Sequence, residues 1–439
     1  MFFIKRALVL PRRSVCVLKW SKLAYSTNIP IEDLDLEFKG LDGISKCTIQ
    51  SIEGPEPVYL KLKENMYKSF HYENKFTFKL GGVLPEIKLA YETWGHLNEK
   101  KDNAILLFTG LSANSHAKRN ANNLQPGWWE DFIGEKMAID TEKFYVICVN
   151  HLGSCFGSSG PYSISPITKK PYATTFPIIT VDDMVKAQFL LLDHLGVDRL
   201  HASVGSSLGG MCSLLSGLKY PLRVSKVIAI STCARAEPSS IAMRYLQRKA
   251  IMLDPKWNNG FYYDQKEHPI NGLRLAREIA TVTYRSGPEW KERFGRKKMS
   301  DTEPITLCPS FEIENYLNHQ GETFSTKYDP NSLLYLSKAM DLFDLAEGCD
   351  SMVDALQHLK CPVLIMGSQT DILFPVKQQR DLSKWIKEAG NSQVSYFEMD
   401  SLYGHDTFLL NLNDVGTALK GFLETKLNKT GEISKSKKK

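Results

Sequence analysis

The chain has 439 residues, 43% hydrophobic and 24% charged, with a formal net charge of +6; it can bury a full core and suits one α/β core with a large insertion as well as two domains. Ten bases at its two ends (Lys5, Arg6, Arg12, Arg13, Lys19, Lys22, Lys435, Lys437, Lys438, Lys439) exceed that net charge, so the body between them is acidic overall and has no basic footprint for nucleic acid. Nine scattered cysteines without CxxC spacing read as reduced thiols and imply no metal, and no run of 18 apolar residues offers a membrane span.

Residues 1–27 are basic, serine-bearing and free of acid, which predicts a mitochondrial transit peptide and hence a matrix location. Folding patterns begin after about residue 50. Residues 75–95 read as two strands around a Gly81-Gly82 turn, and the apolar runs Ala104–Thr109 and Phe144–Asn150 read as buried strands. From Asp182 to Leu195 apolar residues recur at helical spacing, with Gly196 as the stop. A strand at His201–Val204, a helix from Gly209, and strands at Val227–Ser231, Val363–Met366 and Val394–Phe397 follow. Such alternation predicts an α/β fold, a mostly parallel sheet with helices on both faces. Between its halves, residues 50–235 and 357–425, the charged stretch 236–356 has helical periodicity and reads as an inserted helical lid. Residues 426–439 read as a disordered basic tail.

Gly205-Ser206-Ser207-Leu208-Gly209 matches G-x-S-x-G, follows a strand end and opens a helix. A turn that sharp needs small neighbours, and it lifts the Ser207 hydroxyl above the sheet near a helix N-terminus. Serine is a poor nucleophile until a base takes its proton, and on this fold the acid and the histidine follow in that order. Asp371 lies just past the strand at 363–366, and His405 lies past the last predicted strand, so Ser207, Asp371 and His405 form the expected triad of the α/β-hydrolase fold. The expected oxyanion donors are the backbone N–H groups of Leu208 and of Leu111, in the loop after the strand at 104–109. His116 and His151 are expected near loops over the site.

With these motifs the chain resembles the homoserine/serine O-acyltransferases of the α/β-hydrolase type. The resemblance spans roughly residues 75–420. It is carried by Leu89–Gly95, by Asn150–Ser154 with Gly157–Pro161, and by Phe176-Pro177 followed by Thr180 and Asp183–Val185. Gly205–Met211, Thr283–Ser286 and Gly404–Asp406 complete the set. It implies transfer of an acyl group, acetyl from acetyl-CoA, to an amino-acid hydroxyl through an acyl-enzyme on Ser207, with no permanently bound cofactor. By residue matching it implies Arg277 for the substrate carboxylate, Asp406 for its ammonium group and Tyr284 as a pocket tyrosine. Asp182 and Leu208 depart from the homoserine pattern toward the serine-acylating branch, which includes fungal mitochondrial enzymes of cysteine synthesis. L-serine is therefore the expected acceptor and L-homoserine the alternative. The implied partners are these small molecules, with a homodimer open. A plain esterase and a non-catalytic member of the fold are the rival readings; the first gives no role to Arg277 and Asp406, and the second is expected to lack a triad residue.

Overall fold

The structure is a computed structural model, and it describes residues 66–302, 304–305, 307 and 309–426. The expected transit segment, the start of the core near residue 50 and the tail beyond 426 lie outside them.

In chain order the first elements are β1 (Lys68–Tyr72), the short hairpin β2 (Phe76–Thr77) and β3 (Val83–Leu84), β4 (Ile87–Trp94) and β5 (Ala104–Phe108). The small pair β6 (Ile133–Gly134) and β7 (Ile139–Asp140) precedes β8 (Tyr145–Val149), α1 (Val181–His194), β9 (Ala202–Ser206), α2 (Leu208–Lys219) and β10 (Val227–Ile230). The two strands expected over 75–95 are three. The hairpin turns at Gly81-Gly82 as predicted, but Pro85 offers no N–H to a ladder, so the strand stops at Leu84 and restarts at Ile87 on the main sheet. The sequence reading also missed β1, an edge strand in which Phe70 alone is buried and which therefore shows no clean alternation.

Among the described residues six α-helices separate β10 from the next strand of the sheet: α3 (Pro238–Leu253), α4 (Ile270–Tyr284), α5 (Gly287–Arg293), α6 (Glu312–Ser325), α7 (Pro330–Asp341) and α8 (Met352–Leu356). Among the described residues this stretch adds no strand to the sheet. Helix α4 packs between α3 and α6. Helix α7 begins at a strong cap: Pro330 opens it, and the Asp329 carboxylate accepts the Ser332 N–H at 2.8 Å while held by the hydroxyls of Tyr262 (2.7 Å) and Tyr263 (3.0 Å). The chain then returns through β11 (Val363–Ser368), α9 (Val376–Glu388), β12 (Val394–Met399), α10 (Thr407–Leu410) and α11 (Leu412–Glu424). No helix among the described residues is long and apolar enough to cross a membrane.

The eight-stranded sheet has the order β1-β4-β8-β5-β9-β10-β11-β12, parallel from β8 to β12, with β4 antiparallel to both β1 and β8. Its central strands read as unbroken apolar runs because both faces are covered. Leu106 and Phe108 of β5 pack with Met184 and Leu191 of α1 and Met211 of α2, while Ile105 and Leu107 pack with Val415 and Leu419 of α11. Strand β5 pairs with β8 on one side and β9 on the other. The chain leaving β5 and the chain leaving β9 therefore turn to opposite sides, and a crevice opens at their carboxyl ends. Gly110 and Ser207 stand at that crevice.

Candidate active site

Ser207 sits between β9 and α2 with φ +57° and ψ −122°, a backbone state that costs a non-glycine residue about 1–3 kcal/mol. Its surroundings hold it there: its N–H donates to the Ile230 carbonyl at 2.9 Å, and its carbonyl accepts the Thr232 hydroxyl at 2.8 Å. The two flanking glycines are required by contact. A Cβ on Gly205 would lie 2.1 Å from the Gly209 carbonyl oxygen, and one on Gly209 would lie 2.3 Å from that of Phe108.

Asp371 follows β11, and His405 stands in a 3-10 turn, Gly404–Asp406, after β12. The His405 Nδ1 faces Asp371 Oδ2 at 2.7 Å; opposite a carboxylate, Nδ1 carries the proton and Nε2 is left to act as base. The other Asp371 oxygen accepts the N–H groups of Leu373 and Phe374, each at 2.9 Å, and the Phe374 ring stacks on the imidazole at 5.2 Å. Burial works against a charged His405, but the Asp371 carboxylate, aided by Asp406, outweighs it, so the imidazole lies above its ordinary value.

Ser207 and His405 line one cavity of about 280 Å³. Gly110, Leu111 and Ser112 form its wall on the β5 side, where the Tyr328 hydroxyl donates to the Leu111 carbonyl at 2.7 Å and steadies the loop. Leu208 is the first residue of α2; its side chain is buried in the core, so only its backbone could serve the site. Arg277 and Tyr284, both on α4, line the same cavity, as does Asp406. The Arg277 guanidinium lies over the rings of Tyr284 (4.9 Å) and Phe324 (4.6 Å), and its Nε is buried without a hydrogen-bond partner. Asp406 has a cationic neighbour: Arg285 Nε approaches its Oδ2 at 3.3 Å. Burial lifts the Asp406 carboxyl above its usual range, although Arg285, His405 and Arg277 pull the other way.

Three positions prominent in the sequence do not reach the cavity. His116 joins Ser115 and Asn120 on the buried Glu92 carboxylate, at 2.8, 3.0 and 2.7 Å, and stitches the 111–130 loop to β4. His151 is a buried strut whose Nε2 donates to the Thr109 carbonyl at 2.9 Å; burial holds it down to about 4, so it stays neutral at physiological pH. Asp182 faces outward from α1 and pairs with Lys79 (3.1 Å) and Lys219. With the Leu208 side chain in the core as well, neither residue that the sequence singled out for the serine-acylating branch places its side chain in the wall of this cavity.

A charged residue of the cavity wall escaped the sequence reading. Arg244 of α3 is 2% exposed and lines the chamber with Ser207. Its Nε donates to Asp341 at 2.6 Å, while both terminal nitrogens are buried without a hydrogen-bond partner. The signal available was a pair of arginines one helical turn apart, Arg244 and Arg248, which repel each other unless an acid stands between them. A larger cleft of 660 Å³ between β12 and α11 carries no histidine, cysteine or basic residue in its wall.

A serine after one central strand, an acid after a later one and a histidine after the last is the arrangement of the α/β-hydrolase fold, and residues 103–412 match the family of that fold. The chain is 48% identical over 434 residues to a serine O-succinyltransferase of Emericella nidulans, covering 84% of this chain and 83% of that one. It is 46% identical over 436 residues to a serine O-succinyltransferase of Schizosaccharomyces pombe, covering 84% and 86%. A crystal structure of homoserine O-acetyltransferase from Bacillus anthracis superposes with a TM-score of 0.77 at 28% identity, covering 82% of this chain and 98% of that one. The chain belongs to the homoserine/serine O-acyltransferase family of the α/β-hydrolase fold, and its chemistry is O-acyl transfer.

Proposed function

We propose that the protein transfers an acyl group from a coenzyme A thioester to the side-chain hydroxyl of L-serine by a two-step, ping-pong route. One observation carries this reading: the cavity that holds Ser207 and His405 also presents a fixed cation, Arg277, and a fixed anion, Asp406, as a zwitterionic acceptor requires. In the first step His405 Nε2 takes the Ser207 proton as the hydroxyl oxygen attacks the thioester carbonyl. The tetrahedral oxyanion is received by the Leu208 and Leu111 N–H groups, each such donor being worth about 2.7–4 kcal/mol in the transition state. The thiol leaves with the proton from His405, and Ser207 remains as its ester. In the second step the acceptor hydroxyl gives its proton to His405 and attacks that ester, restoring Ser207.

The names of the two fungal relatives support serine as acceptor and favour succinyl as the acyl group beside the acetyl expected on sequence. Transfer of acetyl to L-homoserine is the second reading, favoured by the Bacillus anthracis structure. The two acceptors differ by one methylene, worth about 1–3 kcal/mol in a fitted site. Acceptor kinetics at a fixed thioester concentration are expected to favour L-serine in kcat/KM; a preference for L-homoserine would leave the mechanism standing and move the protein to the other branch. Arg277→Ala is expected to lower kcat/KM for the acceptor on the order of 10²-fold or more while the burst of thiol release that reports Ser207 acylation persists, because acylation precedes acceptor binding. Loss of the burst in a folded Arg277→Ala protein would assign the arginine to the donor.

Mitochondrial import through residues 1–27 is part of the same proposal, supported by their basic, acid-free composition. A chain lacking them is expected to stay in the cytosol and to keep its activity in vitro; unchanged import of that truncation would count against the assignment.

A further inference from the structure

We propose that Arg285 is a positioning residue for the acceptor half of the reaction: standing behind Asp406, it fixes the place and the charge of that carboxylate opposite the acceptor's ammonium group; this rests on the acceptor reading above. Ser207, Arg277, Tyr284 and Asp406 share the wall of one cavity, and Arg285 is absent from it. Arg285 can therefore act on the acceptor only through a neighbour.

The backbone brings that neighbour to it. Arg285 closes α4: its N–H donates to the Thr281 carbonyl at 3.2 Å, and its own dihedrals are extended. The next residue, Ser286, caps α5. Its hydroxyl accepts the Glu289 N–H at 3.1 Å and donates to the Leu402 carbonyl, just ahead of the turn that carries His405 and Asp406. A Cβ on Gly404 would lie 2.9 Å from the Tyr284 carbonyl oxygen and 3.0 Å from the Arg285 carbonyl carbon. The turn Gly404–Asp406 thus lies directly on the junction of α4 and α5, and only glycine permits that approach.

At this junction one guanidinium meets two carboxylates. Arg285 donates through a terminal nitrogen to Glu289 at 2.9 Å and holds its Nε 3.3 Å from Asp406 Oδ2. The second contact is one of charge alone, since Nε is buried and makes no hydrogen bond. Both side chains of that pair are only 17% exposed, so solvent screens the attraction weakly. Two carboxylates against one guanidinium leave one negative charge over, which is what an ammonium group needs opposite it, while Arg277 answers the acceptor's carboxylate. The charged groups facing Asp406 are Arg285 and Arg277, His405 from its own turn, and Glu289 from α5. Burial raises the Asp406 carboxyl, Arg285 is the largest influence against it, and Glu289 works on the side of burial. Without the guanidinium a carboxyl so placed takes up a proton more readily and then offers the ammonium group a neutral acid.

The test separates the two half-reactions in the full chain. Acylation of Ser207 is read as thiol release with no acceptor present, and acceptor use as kcat/KM for L-serine, or for L-homoserine should the wild type prefer it, both across pH. Dividing the second by the first at each pH removes what His405 contributes to both, and the remaining pH dependence reports Asp406. In Arg285→Met acceptor kcat/KM is expected to fall on the order of 10-fold, mainly through KM, and the acid limb of the quotient to move to higher pH, while acylation keeps its wild-type rate and profile. Arg285→Lys keeps the charge and is expected to recover much of the loss. Glu289→Gln leaves Arg285 an oxygen to bond and removes the rival charge, so the limb is expected to move to lower pH. A merely structural role would shift both variants the same way and lower acylation together with acceptor use. An unchanged acceptor profile in Arg285→Met, an equal loss in both half-reactions, or a limb in Glu289→Gln that stays or moves up overturns the proposal. Should Arg285→Met fail to fold, Glu289→Gln and Arg285→Lys decide. A wild-type protein that acylates Ser207 but passes the acyl group to neither amino acid sinks the acceptor reading itself, and this inference with it.

Discussion

Ser207→Ala is expected to lower acyl transfer on the order of 10⁶-fold, the scale of removing the nucleophile from a serine–histidine–acid centre. The loss is chemical, since the backbone contacts of residue 207 to Ile230 and Thr232 do not involve its hydroxyl. Alanine retains the strain of the positive φ, so stability should stay near that of wild type. Ser207→Gly is equally inactive but is expected to be more stable by about 1–2 kcal/mol, because glycine accepts φ +57° without a Cβ conflict. Thiol release and chemical unfolding of the same preparations check both statements. Near wild-type turnover in Ser207→Ala would remove Ser207 from the mechanism, and a Gly variant no more stable than the Ala variant would remove the strain argument.

Asp371→Asn is expected to cost on the order of 10⁴-fold in kcat, the scale known for a triad histidine placed in the wrong tautomer. The geometry here says why it should. One Asp371 oxygen is held by two backbone N–H groups, from Leu373 and Phe374, so the asparagine must keep its oxygen there. Its NH2 group then faces His405 Nδ1, which becomes an acceptor, and the ring proton moves to Nε2, where the base is needed. The pH profile supplies a second readout. Neutral His405 is the active form, so wild-type kcat/KM should rise with pH, with its midpoint above the ordinary histidine value of about 6.5. In Asp371→Asn burial is no longer outweighed, and the midpoint should move down. Stability follows the same sign. The raised value in the folded state contributes stability that is complete below about 6.5 and is lost as pH rises through the folded value, so this contribution of the wild type is an acid-side one that the variant lacks. A variant with unaltered turnover, or a midpoint that moves up, would reject the pairing of Asp371 with His405.

Much of this was legible in the chain order of the residues. The runs Ala104–Phe108, Tyr145–Val149 and Val227–Ile230 announce strands covered on both faces, because each alternate residue needs an apolar partner in a different layer. The elbow is legible because the turn at Ser207 demands glycine at 205 and 209, a local steric requirement. The order of nucleophile, acid and histidine is legible because the sheet topology places successive strand ends at one crevice. Signature residues were a different matter: Asp182, expected from the sequence to mark the serine-acylating branch, pairs with Lys79 and Lys219 and is absent from the cavity wall.

What only the tertiary structure decided is which charges meet. Arg244 acquires its meaning from Asp341, 97 residues away, from Arg248 as a competitor for it, and from a cavity wall shared with Ser207. Asp406 is joined by Arg285. His116 and His151 become supports of the strand ends, one on Glu92 and one on the Thr109 carbonyl, with no face toward substrate. The physical reason is the same in each case. Periodicity and turn chemistry act between neighbours in the chain and are written there, whereas the worth of a buried charge depends on the partners and the solvent around it, and those are set only when distant helices close over the sheet.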